Sequence, residues 1–299
     1  MKEDFYIYSK GKLLLILLCL ALIGLTIAAI FVVVCMALLP GKYGIITSTL
    51  AQDILFFILP PLFLGWIVTR HPFRFTMLNT EPRWRDVFFV LLALVTSLPV
   101  LNYIVDLNEN LTFPQQFSEL EKWLRASEDS AKNLTDTLIS TSSVWGLIIN
   151  ILIVGLLTGF SEELFFRGGL LRPFLSGNNT PHFAIWTVAF VFSAVHMQFF
   201  GFFPRLLMGA WFGYLFCWTR SLWVPIIAHA LNNSTVVVTQ YMENNHIADL
   251  SWVEKLGVPA QGEFPWIALA SLIAVAIVIF LARKALLRTG QNQYHPLSN

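Results

Sequence analysis

Three stretches of this 299-residue chain set ionisable side chains among apolar neighbours. One reads Ser161-Glu162-Glu163-Leu164-Phe165-Phe166-Arg167, the second runs from Phe192 to His196, and the third from His229 through Asn232 to Asn233. A charged side chain in the hydrocarbon costs about 2.5–3.5 kcal/mol on an insertion scale, so such residues need a partner or a wet cavity. Two carboxylates, a guanidinium, two imidazoles and a carboxamide on three hydrophobic segments therefore point to one shared pocket. The set is a hydrolytic inventory: a base to activate water, imidazoles to orient it or hold a metal, and donors for an oxyanion. Peptide hydrolysis fits it. Other intramembrane protease chemistries are disfavoured, because the chain has no H-E-x-x-H, no G-x-S-G, and no paired Tyr-Asp and Gly-x-Gly-Asp.

Spacing separates the two glutamates. Glu163 and Arg167 are i, i+4 neighbours with the acid N-terminal, the better orientation for a helical ion pair, while Glu162 points about 100° away. Glu163 is then the paired acid, and Glu162 is free to reach other helices as a general base. His229 and Asn233 share a helical face by the same i, i+4 spacing, as do Phe192 and His196. Asn232, at i+3 from His229, is the weaker twin of Asn233. Phe192 reads as a core residue that also shapes the pocket around His196.

The elements that must position these groups are membrane helices. The chain is 56% hydrophobic and only 12% charged, against about 25% charged in soluble domains. An all-α, polytopic membrane protein is expected. A net charge of +1 with scattered basic residues leaves no stripe for nucleic acid. Eight spans are predicted, at 13–39, about 45–69, 87–105, about 144–175, 183–200, 203–219, 222–242 and 264–282. The first is too long an uncharged run for a signal-peptide core and reads as a retained anchor. In the sixth, Pro204 suits the first turn and Arg205 can snorkel to the interface.

With a cytoplasmic N-terminus, twelve of the nineteen Lys and Arg fall inside, from Lys2 to Arg288. Six fall outside and Arg167 lies within a span, so both termini are expected in the cytoplasm. The acidic external loop at about 107–142 carries helical periodicity at Phe117, Leu120, Trp123 and Leu124, which predicts an amphipathic surface helix. The organisation expected is an N-terminal membrane region at 1–143, a catalytic membrane core at 144–242, and a final loop, span and tail at 243–299. Cys19, Cys35 and Cys217 read as buried packing residues. Asp53 reads as an interfacial acid near the outer end of the second span, and Trp84, Trp145 and Trp223 as interfacial anchors. His71, His182, His246 and His295 fall near segment ends or in loops and are assigned no chemistry.

Cooperating residues must also sit at similar depth. At about 1.5 Å per residue, His196 lies roughly 20 Å and Asn233 about 17 Å from the cytoplasmic starts of their helices. Glu162 matches them only if the fourth helix runs on through Gly168 and Gly169 to about Leu175.

The ordered motifs E-E-x-x-x-R, F-x-x-x-H and H-x-x-x-N, here Glu162, Glu163 and Arg167, Phe192 and His196, His229 and Asn233, resemble those of the CAAX protease and bacteriocin-processing (CPBP, or Abi) membrane endopeptidases. The resemblance covers about residues 145–240. It implies a glutamate-dependent endopeptidase in an eight-helix-like membrane fold, with Glu162 and His196 activating water and His229 and Asn233 steadying the oxyanion. Glu163 and Arg167 would support them. A zinc ion on Glu162, His196 and His229 and metal-free water activation are equally open. The implied substrate is a membrane-associated protein or peptide, of CAAX or leader type, within the lipid bilayer of what is expected to be a bacterial cell membrane. The competing classes are a proton-coupled transporter, with Glu162, Glu163 and His196 as a relay, and a catalytically silent scaffold or immunity protein. A relay would place its acids and histidines at successive depths, and no half-to-half symmetry is evident.

Overall fold

The computed structural model describes residues 8–39, 41–175 and 180–287; Lys2, Arg288 and His295 lie outside the described residues. The protein is all-helical. Its main helices are α1 (Lys10–Leu38), α2 (Lys42–Thr69), α3 (Trp84–Glu109), α4 (Ser118–Ile139), α5 (Val144–Leu175), α6 (Pro181–Ala194), α7 (Phe202–Thr219), α8 (Trp223–Asn244) and α9 (Trp266–Leu286). Six of the described helical stretches are long and apolar enough to cross a membrane: α1, α2, α3, α5, α7 with the turn before it, and α9. The other two expected spans depart from that standard for different reasons. α8 is interrupted by the polar run Asn232-Asn233-Ser234-Thr235, and α6 has only 14 residues.

The fifth span, expected to reach Phe200, stops at Ala194 because the chain turns back on itself. Met197 takes a left-handed conformation (φ 55°), and the Ser193 hydroxyl donates to Phe202 O across the turn at 2.7 Å. At 1.5 Å per residue, α6 is about 21 Å long, short of the roughly 30 Å hydrocarbon thickness. The turn at 195–201 is therefore recessed, and the amphipathic helix α4 lies over it. Phe200 N–H donates to Glu128 Oε2 (3.1 Å), Ser127 Oγ donates to Met197 O (3.3 Å), and the Arg125 guanidinium sits 4.2 Å from the Phe200 ring centroid. Burial in this seat pushes the Glu128 carboxyl above its usual range. Arg205 does not snorkel outward; its guanidinium donates back to Gln198 Oε1 at 2.7 Å.

Prolines shape the helices near the centre of the bundle. Pro60 and Pro61 cannot donate to the carbonyls one turn back, and their rings crowd that turn. α2 responds with a wide, i+5-bonded turn over Asp53–Ile58. The Leu55 carbonyl of that turn meets α1 at Gly24, where a Cβ would collide with the oxygen. α5 has a comparable wide turn at Leu164–Leu171 before Pro173, and a second at Ile151–Leu157, so the glutamates occupy a short α-helical piece between two wide turns.

The apolar core follows these helices. One cluster joins Leu13 and Leu17 of α1, Phe57 and Leu64 of α2, Leu164 and Phe166 of α5, and Phe192 and Phe216 of α6 and α7. A second joins Val90 of α3, Leu215 of α7, Val224 of α8 and Ala282 of α9. Of the cysteines only Cys217 is buried; Cys35 is half-buried and Cys19 is exposed on the outward side of α1, facing lipid in a membrane rather than the protein core.

α5 meets α8 through Gly155 and Gly159, a G-x-x-x-G pair that lets membrane helices approach closely. A Cβ on Gly159 would stand 3.0 Å from Ala230 N and 3.2 Å from its Cα, both backbone atoms that cannot rotate away. Gly159→Val is expected to destabilise the protein by about 1–3 kcal/mol, read as a lower unfolding midpoint in detergent micelles. Gly11→Ala, where a Cβ meets nothing within 4 Å, should not lower the midpoint, since alanine favours the helix over glycine. An unchanged midpoint for the Gly159 variant would show that the seam is loosely packed.

Candidate active site

The close approach of α5 and α8 sets the two glutamates against His229. Glu163 Oε1 receives Arg167 Nη1–H at 2.7 Å and lies 2.8 Å from His229 Nδ1. Because a carboxylate can only accept, His229 Nδ1 carries the proton of that bond, and Nε2 faces the other way. There, at 3.8 Å, stands Glu162 Oε2. The imidazole thus lies between the tandem carboxylates, one on each ring nitrogen. Its plane stacks on Phe212 (5.2 Å between centroids, 26°) and meets Phe192 edge-on (5.9 Å, 82°).

Arg167 is fully buried, 0% exposed like Glu163. Its second terminal nitrogen, Nη2, donates to Gly209 O at 2.7 Å, and its guanidinium centre lies 5.0 and 5.5 Å from the Phe192 and Phe212 centroids. This fork is specific to arginine: a lysine has no planar pair of donors to span a carboxylate on its own helix and a carbonyl on α7. Gly209 is available for that bond because it belongs to the packed α6/α7 seam, where a Cβ would come 3.1 Å from the Phe192 ring.

The structure brings Glu162, Glu163, Arg167, Phe192 and His229 into one cluster, and α5 runs unbroken to Leu175. His196 sits at the turn beyond α6. Its Nδ1–H donates to Phe192 O at 2.7 Å, which leaves Nε2 as the lone-pair nitrogen, and its ring packs 5.0 Å from Phe192. Among the described residues it forms no ion pair with either glutamate. Asn233 donates one amide hydrogen to Val154 O of α5 at 3.2 Å, and Asn232 donates to Asn233 Oδ1 at 3.4 Å. Glu162 Oε2, Glu163 Oε2 and Arg167 Nε are buried with no hydrogen-bond partner in the described structure. Buried polar atoms of this kind are ordinarily satisfied by water, which fits a wet chamber.

The metal arrangement is not formed. Among the described residues no three His, Cys, Asp or Glu side chains are gathered closely enough to act as ligands.

Sequence reasoning misplaced Asp53. It is 3% exposed rather than interfacial, because α2 begins at Lys42 and eleven residues of helix carry Asp53 about 16 Å along the axis. Its Oδ1 accepts from Ser161 Oγ at 2.7 Å and its Oδ2 from Thr158 Oγ1 at 3.1 Å. The hydroxyls on α5 were legible only as helix-compatible polar residues; the available signal was one acid well inside a span, followed by tandem prolines.

Residues 144–235 match the family model described as Rce1-like, type II CAAX prenyl endopeptidase Rce1-like. Over those residues, about a third of the chain, the sequence is similar to the CPBP membrane endopeptidases, and its apolar helices are those of an integral membrane protein. No curated protein and no solved structure matches it.

Removing only the cation from the buried cluster should be far worse than removing both charges. Arg167→Met is expected to cost about 3–5 kcal/mol by leaving Glu163 buried without its guanidinium partner, whereas the Arg167→Met, Glu163→Gln pair should recover part of that loss. Chemical unfolding in micelles reads the difference. Equal losses would show that the ion pair is not what holds this cluster.

Proposed function

We propose that the protein is an intramembrane endopeptidase in which Glu162 is the general base that activates water for attack on a peptide carbonyl. The observation that carries this reading is the bracketed imidazole: Glu163 holds His229 Nδ1 at 2.8 Å, and Nε2 is presented 3.8 Å from Glu162. A water between that carboxylate and the lone pair of His196 Nε2 would lose one proton to Glu162 as its oxygen bonds to the carbonyl carbon. The carbonyl π electrons move onto oxygen. When His229 carries a proton on both nitrogens, Nδ1–H stays on Glu163 and Nε2–H is aimed at that oxyanion, with the second amide hydrogen of Asn233 as a further donor. Collapse breaks the C–N bond, and Glu162 returns its proton to the leaving amine.

The chemistry takes place inside the bilayer, so the substrate is a membrane-associated protein or peptide. An apolar groove of about 540 Å³ lies along the α5/α8 seam, with Phe160, Ala230 and Ser234 in its wall. The groove is lined by the two helices that carry Glu162 and His229, on a face next to theirs. The end of the bundle that carries Arg70, Arg74, Arg83, Arg220, Arg283 and Lys284 faces the cytoplasm in this reading, in keeping with the positive-inside rule.

The test uses purified protein in nanodiscs and two internally quenched peptides. One is prenylated and ends in Cys-aliphatic-aliphatic-X; the other is an unprenylated, leader-type apolar peptide. Glu162→Gln should lower turnover about 10²–10⁴-fold, the usual contribution of a general base, with the unfolding midpoint unchanged. Undiminished turnover would remove Glu162 as the base, and the peptide that wild type prefers assigns the substrate class.

A further inference from the structure

We propose that Asp53 is a positioning residue of this site: across the seam between α2 and α5 it holds Thr158 and Ser161, and through them the turn of backbone that carries Glu162. The inference rests on the hydrolytic reading above. It extends the machinery to a helix that lies wholly outside the matched Rce1-like segment.

Three observations converge on it. First, the carboxylate is buried and both of its oxygens are engaged, on hydroxyls spaced i, i+3 along α5, the second of them directly preceding Glu162. A two-point clamp of this kind fixes both rotation and height of the α5 turn, which a single bond could not. Second, Asp53 opens the wide turn of α2, and such turns recur at functional sites. The turn is accommodated on its other side by Gly24 of α1, so α1, α2 and α5 are stacked in register at this level. Third, the clamped piece Thr158–Glu163 is flanked on both sides by wide turns. Its own helical ladder is irregular at either end, and an external fixture has more to hold than in a uniform helix.

The hydroxyls also separate hydrogen bonding from charge. Ser161 Oγ has Thr158 O at 3.0 Å as an alternative acceptor, and Thr158 Oγ1 has Ile153 O at 3.2 Å. An asparagine at position 53 can therefore accept from Ser161 with its carbonyl oxygen. Its amide donates to Thr158 Oγ1, whose hydrogen turns to Ile153 O, and no donor is stranded. Asp53→Asn keeps the clamp and removes the charge; Asp53→Ala removes both.

The experiment measures kcat and KM of these variants on whichever of the two quenched peptides wild type cleaves. Asp53→Ala should lower kcat about 10–100-fold, as loss of an outer supporting contact does, and KM should move little. Asp53→Asn should restore most of the rate, and Asp53→Ala combined with Ser161→Ala should be no slower than Asp53→Ala alone. Should Asp53→Ala fail to fold, Ser161→Ala and Thr158→Val carry the same test, each removing one arm of the clamp. Wild-type kcat in Asp53→Ala, a loss confined to the unfolding midpoint, or an asparagine variant as slow as the alanine one would each overturn the proposal. Glu162→Gln run alongside separates the two readings. If it is inactive while Asp53→Ala is not, only the role of Asp53 falls; if it is fully active, or wild type cleaves neither peptide, the hydrolytic reading falls and takes this inference with it.

Discussion

A guanidinium with no exposure, inside a bundle of apolar helices, is the constraint to which the rest of this structure answers. In hydrocarbon an unpaired charge is intolerable, so Arg167 must find an anion and acceptors for its remaining donors. Glu163, one turn back, supplies the anion, and Gly209 O supplies an acceptor from another helix. The aromatic faces of Phe192 and Phe212 cover the guanidinium plane. These contacts together oblige α5, α6 and α7 to converge at one point. His229 then brings in α8 by sharing the same Glu163 oxygen. A cluster of this sort is weak evidence for stability in itself, because apolar replacements often pack as well. Its specificity lies in its geometry, which dictates which faces of four helices look at one another.

Small residues make that convergence sterically possible. Two G-x-x-x-G pairs, Gly155 with Gly159 and Gly209 with Gly213, lie on the helices that bear the glutamates and the Arg167 acceptor. The first faces Ala230 and Ser234 of α8, the second Ile185 and Ala189 of α6. Prolines supply a complementary irregularity. Pro60, Pro61 and Pro173 each follow a wide turn, and the displaced carbonyls and rotated side chains have matched partners on neighbouring helices. In α3 the same defect is handled by a side chain: Ser271 of α9 donates to Thr96 O and accepts from Val100 N, the pair that Pro99 has parted.

Much of this was legible in the sequence where a short-range rule applied. The i, i+4 spacing of Glu163 and Arg167 foretold their ion pair, and the need to match depths foretold that α5 continues past Gly168 and Gly169. Amphipathic periodicity around Leu120 and Trp123 foretold α4. What escaped were features set by partners far along the chain. An apolar run to Phe200 looks like a full span, and only the Ser193 to Phe202 contact and the turn at Met197 show that it ends six residues sooner. Arg205 has a length and position suited to snorkelling, yet Gln198, placed by that same turn, captures it. Asp53 looked interfacial because its partners, Thr158 and Ser161, are about a hundred residues away.

The routes by which a substrate could reach this chamber follow from which openings are sealed. At one end, α4 is fastened over the recessed turn at 195–201 by Glu128, Ser127 and Arg125, and its far end is tied down where Lys42 Nζ and Asn150 Nδ2 donate to Ser140 O and Ile139 O. At the other end, Leu222 N, Ser221 Oγ and Trp223 Nε1 donate to the carbonyls of Met77, Thr80 and Leu78, closing the connection between α7 and α8 onto the segment before α3. The apolar groove between α5 and α8 opens sideways, with Leu152, Leu156 and Trp223 on its rim partly exposed. On the hydrolytic reading, a substrate therefore arrives from the plane of the lipid, its apolar part already desolvated. Only the scissile amide and the attacking water then require polar partners, and three of the six buried polar atoms without a hydrogen-bond partner among the described residues, on Glu162, Glu163 and Arg167, lie in that cluster.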